Sequence, residues 1–240
     1  MKRAGTILLL VMVATCMTGR AESDGAASGA KTDTDNPVAR VRNNHSFGYG
    51  PFINWGIGVG DRSNYKFLSG GAEFEKPMFR VVHAGFISGQ FVGAANIMPL
   101  WQAYTPAPHN ETVTRANGSI SVVPIGGGTF RGVSLTPVIM RWNFLTESNK
   151  WQPWFQGAGG LIYTTHKFPP DQQVPKGTPG GTSVWNFSPQ GGVGVHYFVS
   201  ERRSIDLGLN AVHISSASLG DRNPGVNASI QIQVGYTFWK

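Results

Sequence analysis

The sequence lacks three features that would each define a class of protein. No apolar run reaches the roughly 20 residues that a transmembrane helix needs, which excludes a helical membrane protein. Cysteine occurs once, so no disulfide can form within the chain. Charged residues make up only 14% of the 240 residues, and no tract is dense in lysine or arginine. The net charge of +7 is therefore weak evidence for a nucleic-acid partner, and we expect none.

Glycine, in contrast, is abundant. The chain holds 32 glycines in 240 residues, against about 7% in average proteins. Glycine is costly inside helices and useful in strands, bulges and turns. The composition therefore argues against an all-helical protein.

The N-terminus has the pattern of a secretory signal. Two basic residues follow Met1, and a short apolar run over 7–14 precedes a stretch of small residues. We expect residues 1–21 to be removed, together with Cys16; the alternative is that Cys16 is a lipoprotein anchor. Residues 22–44 are rich in Ala, Gly, Ser, Asp and Thr, which predicts a disordered leader.

From residue 45 onward, apolar and polar side chains alternate as in β-strands. The clearest case is 230–238, which is apolar or aromatic at even positions and small or polar at odd positions. A second is 205–212, which is apolar at odd positions. Six less regular segments bring the predicted strands to eight, at about 50–60, 65–75, 89–101, 131–142, 151–164 and 182–198.

Two architectures keep the apolar face of such strands away from water. One is a soluble barrel or sandwich with its apolar face inward, and the other is an outer-membrane barrel with its apolar face outward. The signal sequence, the lack of cysteine after it, the even strand count and the aromatic C-terminal strand favour the membrane. We therefore predict an all-β fold, an eight-stranded antiparallel outer-membrane β-barrel over 45–240. The faces opposite the apolar ones supply a polar lumen, from Asp206, Asn210, Gln231, Gln233 and Thr237.

The connections between the predicted strands differ in length. With both termini in the periplasm, the long connections over 102–130, 165–181 and 216–228 would be extracellular, as is typical of such barrels. The 76–88 segment is longer than a periplasmic turn needs to be, and nothing in its pattern explains that length.

The predicted seventh strand ends in two polar residues on its lipid-facing side. The alternation that points Leu207 and Leu209 outward also points His213 and Ser215 outward, at the extracellular rim. Cα atoms two residues apart on a strand are about 6 to 7 Å apart. A base beside a hydroxyl is the minimum for nucleophilic acyl chemistry, because serine alone is a weak nucleophile. The alternative is a polar pair hydrogen-bonded to headgroups or to loop backbone.

The segment that begins at His213 reads HISSASLGDRNPGVN and is followed by a terminal strand. It resembles the H-x-S-N-A…N-x-G-x-E/N signature of PagL-type lipid A 3-O-deacylases, a family of eight-stranded outer-membrane barrels. The resemblance implies that Ser215 attacks an acyl ester of lipid A, the 3-O-linked 3-hydroxyacyl chain, and that His213 is its base. The third member of the unit, a glutamate in the best-known relatives, falls on Asn227, which can orient a histidine without adding charge.

Four more residues of this segment are candidates for contact with the oxyanion or the substrate: Ser216, Gly220, Arg222 and Asn223. Ser216 stands where many relatives have asparagine, and Arg222 is a candidate for a lipid A phosphate. The resemblance implies lipid A or lipopolysaccharide as partner, an outer-membrane location, and no metal or cofactor. The alternative function is a non-catalytic outer-membrane barrel with a structural or adhesive role.

Overall fold

The computed structural model describes residues 36–114, 117–125, 127–170, 183–217 and 227–240. These residues contain one α-helix, α1 (Pro37–Asn43), and single 3-10 turns at Gly60–Arg62 and Gly85–Ile87. The eleven strands are β1 (Gly48–Gly58), β2 (Lys66–Pro77), β3 (Gly89–Tyr104), β4 (His109–Thr114), β5 (Ile120–Ile125), β6 (Thr129–Phe144), β7 (Trp151–Phe168), β8 (Ser183–Phe187), β9 (Gln190–Ser200), β10 (Arg203–His213) and β11 (Ala228–Trp239). No helix in these ranges has the length and apolar character needed to cross a membrane.

The main sheet closes into an eight-position antiparallel barrel. Its order runs β6, β3, β2, β1, β11, β10, β9, β7, and the pairing of β6 with β7 closes it. Strands β8 and β9 share one position, because both pair with β7 and only 188–189 separate them. All eight predicted strands are confirmed. Strands β4 and β5 form a separate hairpin inside the predicted 102–130 loop, and the sequence pattern did not predict it.

Apolar and polar side chains lie on opposite faces of the barrel wall. The polar residues that were predicted to line a lumen, such as Asp206 and Gln231, are buried inside it. The exposed outer face is apolar, and includes Ile53, Trp55, Val193, Leu207, Leu209, Ile232 and Val234. A soluble barrel requires the reverse arrangement, whereas a membrane barrel has an apolar exterior and a polar interior.

The two ends of the barrel differ in the length of their connections. Strands β6 and β7 are joined by 145–150 and strands β9 and β10 by 201–202, at the end that also carries both ends of the described chain. The long connections, including the β4–β5 hairpin, lie at the other end. Membrane barrels have short periplasmic turns and longer extracellular loops, and this identifies the periplasmic and extracellular ends.

The periplasmic end is covered by α1, which corrects part of the predicted disordered leader. Pro37 occupies the first turn, and the side chain of Asn36 caps the helix by accepting a hydrogen bond from the Ala39 N–H at 3.1 Å. Val38 and Val41 are buried against two aromatic side chains of the barrel, Phe198 and Trp239. Residues 1–35 lie outside the described ranges, so the signal sequence and its cleavage stay predictions.

The extracellular end of the lumen is filled by apolar side chains. This cluster consists of Tyr65, Phe67, Trp101, Ala103, Phe130, Ile162, Phe168, Val212 and Ile214. Phe168 lies at its centre, with ring centroids 5.2 Å from Phe130 and 5.4 Å from Trp101. Val212 and Ile214, the inward-facing residues at the end of β10, are therefore packed within this apolar cluster.

A buried charge network occupies the lumen below this cluster. Arg141 is 1% exposed and donates to Glu75 at 2.5 Å, to Glu73 at 2.7 Å and to Gln156 at 2.8 Å. Its guanidinium also lies 4.5 Å from the ring centre of Trp154. Because a buried charge is costly unless it is paired, these contacts link β2, β6 and β7 across the lumen.

Candidate active site

His213 and Ser215 lie at the extracellular end of β10. Both side chains are half-buried, whereas Val212 and Ile214 are buried in the lumen cluster. The alternation along the strand therefore directs the imidazole and the hydroxyl to the outer face of the wall. The side chains of His213 and Ser215 thus share the face that carries Leu209 further along the strand.

Main-chain hydrogen bonds hold this segment on both sides. The N–H of His213 donates to the Pro189 carbonyl at 2.9 Å, and the N–H of Ile214 donates to the Asn227 carbonyl at 2.8 Å. Ser215 exchanges two hydrogen bonds with Phe187, at 2.7 and 3.0 Å. The segment is thereby fixed between β8 and the start of β11, although the regular pairing of β10 with β11 ends at His213.

A tight turn follows the serine. Ala217 has a φ of +43°, in the left-handed region that is uncommon for a residue with a side chain. The Ala217 N–H donates to Ser215 Oγ at 3.1 Å. Backbone strain of this kind often occurs at functional sites. The turn gives Ser215 a backbone donor beside its hydroxyl oxygen.

The His213 ring and the Ser215 hydroxyl are neighbours on one face. Within the described part of the chain no hydrogen bond joins the two side chains. Catalytic hydrogen bonds are often long in proteins without substrate and tighten in the complex. The strand alternation therefore places an imidazole and a hydroxyl side by side on the outer face of the wall.

Asn227 faces the lumen, where the structure gives it a different partner from the predicted one. It is 5% exposed, and its Oδ1 accepts a hydrogen bond from Arg62 Nε at 3.0 Å. Arg62 also donates to the Tyr65 hydroxyl at 3.0 Å. The pairing of β10 with β11 is regular up to His213 and Ala228, so no bulge at this point turns Asn227 outward. The structure brings Asn227 to Arg62 and not to His213.

The other predicted contact residues are divided between the lumen and the undescribed segment. Ser216 is 2% exposed and continues the inward alternation of Val212 and Ile214. Gly220, Arg222 and Asn223 lie in 218–226, outside the described residues. Arg62 was not predicted from the sequence, because nothing in its local pattern distinguishes it from a loop arginine.

An open groove in the outer wall ends at His213. Its volume is about 340 Å³. Most of the side chains that line it are small, and it includes Ala158, Gln190, Gly191, Ala211, His213 and Ala228. Because larger apolar side chains cover the rest of the wall, the small residues leave a depression on the lipid-facing side of β7, β9 and β10. Across the described ranges, no three His, Cys, Asp or Glu side chains converge as metal ligands would.

Comparison with known proteins identifies a family. A family model described as lipid A 3-O-deacylase (PagL) matches residues 96–237. No curated protein matches the sequence.

Solved structures of outer-membrane proteins are also similar to this chain. The outer membrane enzyme PagL is 12% identical, with 78% of this chain and 98% of that chain covered and a TM-score of 0.42. Neisserial surface protein A is 13% identical, with coverages of 80% and 96% and a TM-score of 0.46. The outer membrane protein OprG from Pseudomonas aeruginosa is 9% identical, with coverages of 82% and 96% and a TM-score of 0.38.

The family match spans more than half of the chain, from within β3 to within β11, and it contains His213 and Ser215. The closed barrel, with its apolar exterior and polar interior, is the fold expected of an outer-membrane protein. The chain therefore belongs to the lipid A 3-O-deacylase (PagL) family and is an eight-stranded barrel of the outer membrane.

Proposed function

We propose that this barrel hydrolyses the 3-O-linked 3-hydroxyacyl ester of lipid A, with Ser215 as nucleophile and His213 as general base. One observation carries the proposal. His213 and Ser215 are half-buried neighbours on the outer face of the wall, at the extracellular end of β10. Elsewhere that face is largely apolar, so packing alone gives no reason for a polar pair there.

The chemistry follows from these two side chains. His213 takes the proton of Ser215 as Oγ attacks the ester carbonyl carbon. The bond between that carbon and the sugar oxygen then breaks, and the histidine gives its proton to the leaving sugar hydroxyl. Water, activated by the same histidine, hydrolyses the acyl-serine and releases the free fatty acid. The proposed unit consists of Ser215 and His213, and it leaves out Asn227, because the only hydrogen bond of the Asn227 side chain within the described residues is to Arg62.

The position of the pair suits an ester in the outer leaflet. The ester bonds of lipid A lie near the boundary between its sugars and its acyl chains. An outer-wall site at the extracellular rim reaches that depth without removing the lipid from the membrane. The groove beside His213 has room for an acyl chain along the wall.

Backbone and loop groups complete the proposed site. The Ala217 N–H is a hydrogen-bond donor next to Ser215 Oγ, where it lies near the position of a developing oxyanion. Gly220 and Asn223 are further donors for that oxygen, and Arg222 is a partner for a lipid A phosphate, as the sequence pattern predicts. Ser216 supports the turn from inside the lumen, since its side chain is buried.

The test is mass spectrometry of lipid A from cells that express Ser215→Ala, His213→Ala or both. Each single variant should abolish release of the 3-hydroxy fatty acid, and the double variant should be little worse than either, because members of one catalytic unit are not additive. Heat-modifiable migration on gels checks that each barrel is folded.

The chain offers a matched control on the extracellular part of β7. There Thr165 Oγ1 lies 3.1 Å from His166 Nδ1, which makes another exposed pair of a hydroxyl and an imidazole. Thr165→Ala and His166→Ala should leave deacylation unchanged. Activity that survives in Ser215→Ala would refute the serine mechanism, and unmodified lipid A with the wild type would favour the non-catalytic alternative.

A further inference from the structure

The connection between β2 and β3 exposes apolar side chains at the periplasmic end of the barrel. Phe86 is 96% exposed, and Met78, Phe79, Val82 and Ile87 are also exposed. The segment is longer than a periplasmic turn needs to be, and its sequence pattern left that length unexplained. Large exposed apolar groups on one segment are typical of a contact with membrane or protein.

Hydrogen bonds fix this segment in place. The Met78 N–H donates to the Phe91 carbonyl at 2.9 Å, and Val82 and Gly89 exchange two hydrogen bonds at 2.8 and 3.0 Å. From the lumen side, the Gln90 amide donates to the Phe79 carbonyl at 2.7 Å. The exposure of the apolar groups is therefore built into the fold and does not come from a loose turn.

The segment lies against the lipid-facing wall. The Phe79 ring packs edge-on against Phe91 at 6.2 Å, and Phe91 packs edge-on against Trp142 at 6.1 Å. The indole of Trp142 donates to the Ile87 carbonyl at 3.2 Å. These contacts hold the segment against the side of the barrel at its periplasmic end.

A groove of about 410 Å³ opens beside this segment. Apolar side chains of β2, β3, β6 and the connection between β2 and β3 line most of it, including Phe74, Met78, Phe79, Phe91, Ala95 and Val138. These are lipid-facing positions, so the groove is continuous with the surface that already contacts the membrane. It lies at the opposite end of the barrel from the groove beside His213.

One lysine borders the groove, and one arginine follows its lining residues. Lys76 lines the groove and is exposed, and the exposed Arg80 comes directly after Phe79, another lining residue. Glu75 also borders the groove, but its side chain is buried in the lumen and paired with Arg141. An apolar groove beside positive charges complements an amphiphile with a negative head.

We propose that this groove binds one anionic glycerophospholipid of the periplasmic leaflet. One acyl chain lies along Phe74, Phe91 and Ala95, and the phosphate lies between Lys76 and Arg80. Phe86 and Ile87 enter the same leaflet and set the depth of the barrel at this side. The site is separate from the proposed active site, which faces the other leaflet.

The test uses the purified, delipidated barrel in detergent, with native mass spectrometry after addition of phosphatidylglycerol. The wild type should retain one lipid. The double variant Lys76→Ala with Arg80→Ala should bind about 30-fold more weakly, since it loses two cations near an anionic headgroup. Ala95→Phe, which fills the groove, should also lose the lipid.

Two variants serve as controls. Lys150→Ala removes an exposed lysine from the periplasmic turn over 145–150, and Val193→Phe enlarges a lipid-facing side chain on β9. Both should retain the lipid as the wild type does. Equal retention by all variants would overturn the proposal, because it would indicate non-specific lipid around the barrel. A wild-type dimer that Ala95→Phe converts to a monomer would overturn it in favour of a second copy of the chain.

Discussion

Removal of the Asn227 side chain distinguishes a structural role, as the partner of Arg62, from a catalytic role beside His213. If Asn227 serves as the acceptor for Arg62, as the structure has it, Asn227→Ala leaves a buried guanidinium without one of its partners. A hydrogen bond to a charged group contributes about 1.5–3 kcal/mol. We therefore expect the free energy of unfolding to fall by about that amount, because Arg62 is buried and bulk solvent does not reach its Nε–H to replace the amide oxygen.

The rate of deacylation should respond much less. Asn227 and His213 lie on opposite faces of the wall, so the loss of the amide does not change which nitrogen of the imidazole carries the proton. We expect kcat to stay within about tenfold of the wild type. A catalytic histidine held in the wrong tautomer, in contrast, lowers kcat by up to about 10⁴.

The assay combines urea unfolding in lipid vesicles, followed by tryptophan fluorescence, with lipid A mass spectrometry on the same samples. Ser229→Ala is the matched control, because Ser229 is the next inward residue of β11 and makes neutral hydrogen bonds. Ser229→Ala should lower the free energy of unfolding by about 0.5–1.5 kcal/mol. A loss of about 10² or more in kcat with unchanged stability in Asn227→Ala would refute the reasoning and return Asn227 to the catalytic unit.

Other contacts give three more predictions. Arg141→Met should lower the free energy of unfolding by about 3–5 kcal/mol in the same urea assay, because it leaves buried carboxylates without their cation. Ala211→Phe should fill the groove beside His213 and lower kcat/KM for lipid A by about 100-fold through misplacement of the ester, with folding unchanged on gels. The hydrogen bond from Arg40 holds the pKa of Glu201 below its usual range, so this pair stabilises the fold at neutral pH and loses its effect as the pH falls through that lowered pKa. The small difference in urea midpoint between wild type and Glu201→Gln should therefore vanish in acid.

Much of the barrel was predictable because its signal is local. Strand alternation requires only that every second side chain meets the same environment, and 205–212 and 230–238 carry that pattern without reference to any other segment. The outward direction of His213 and Ser215 follows from the same rule, since they continue the alternation of β10. The eight strands and the position of this pair at a strand end were therefore available from the sequence.

Short or weakly patterned elements were not predictable. Helix α1 has only seven residues, and its two valines are ordinary in a leader until Phe198 and Trp239 offer them a surface. A helix this short is not stable alone, so packing decides whether it forms. In the β4–β5 hairpin, strand β4 has mostly exposed side chains, which leaves no alternation between buried and exposed positions to detect in it.

The partners of the polar side chains depended on closure of the barrel. Asn227 is joined to Arg62 across 165 residues, and Arg141 meets Glu75 across 66. The sequence by itself determined which residues face lipid and which face the lumen, because that choice is made one strand at a time. Only the tertiary structure decided which lumen residues pair with one another, because those contacts exist only after β6 and β7 have joined and brought distant strands around one interior.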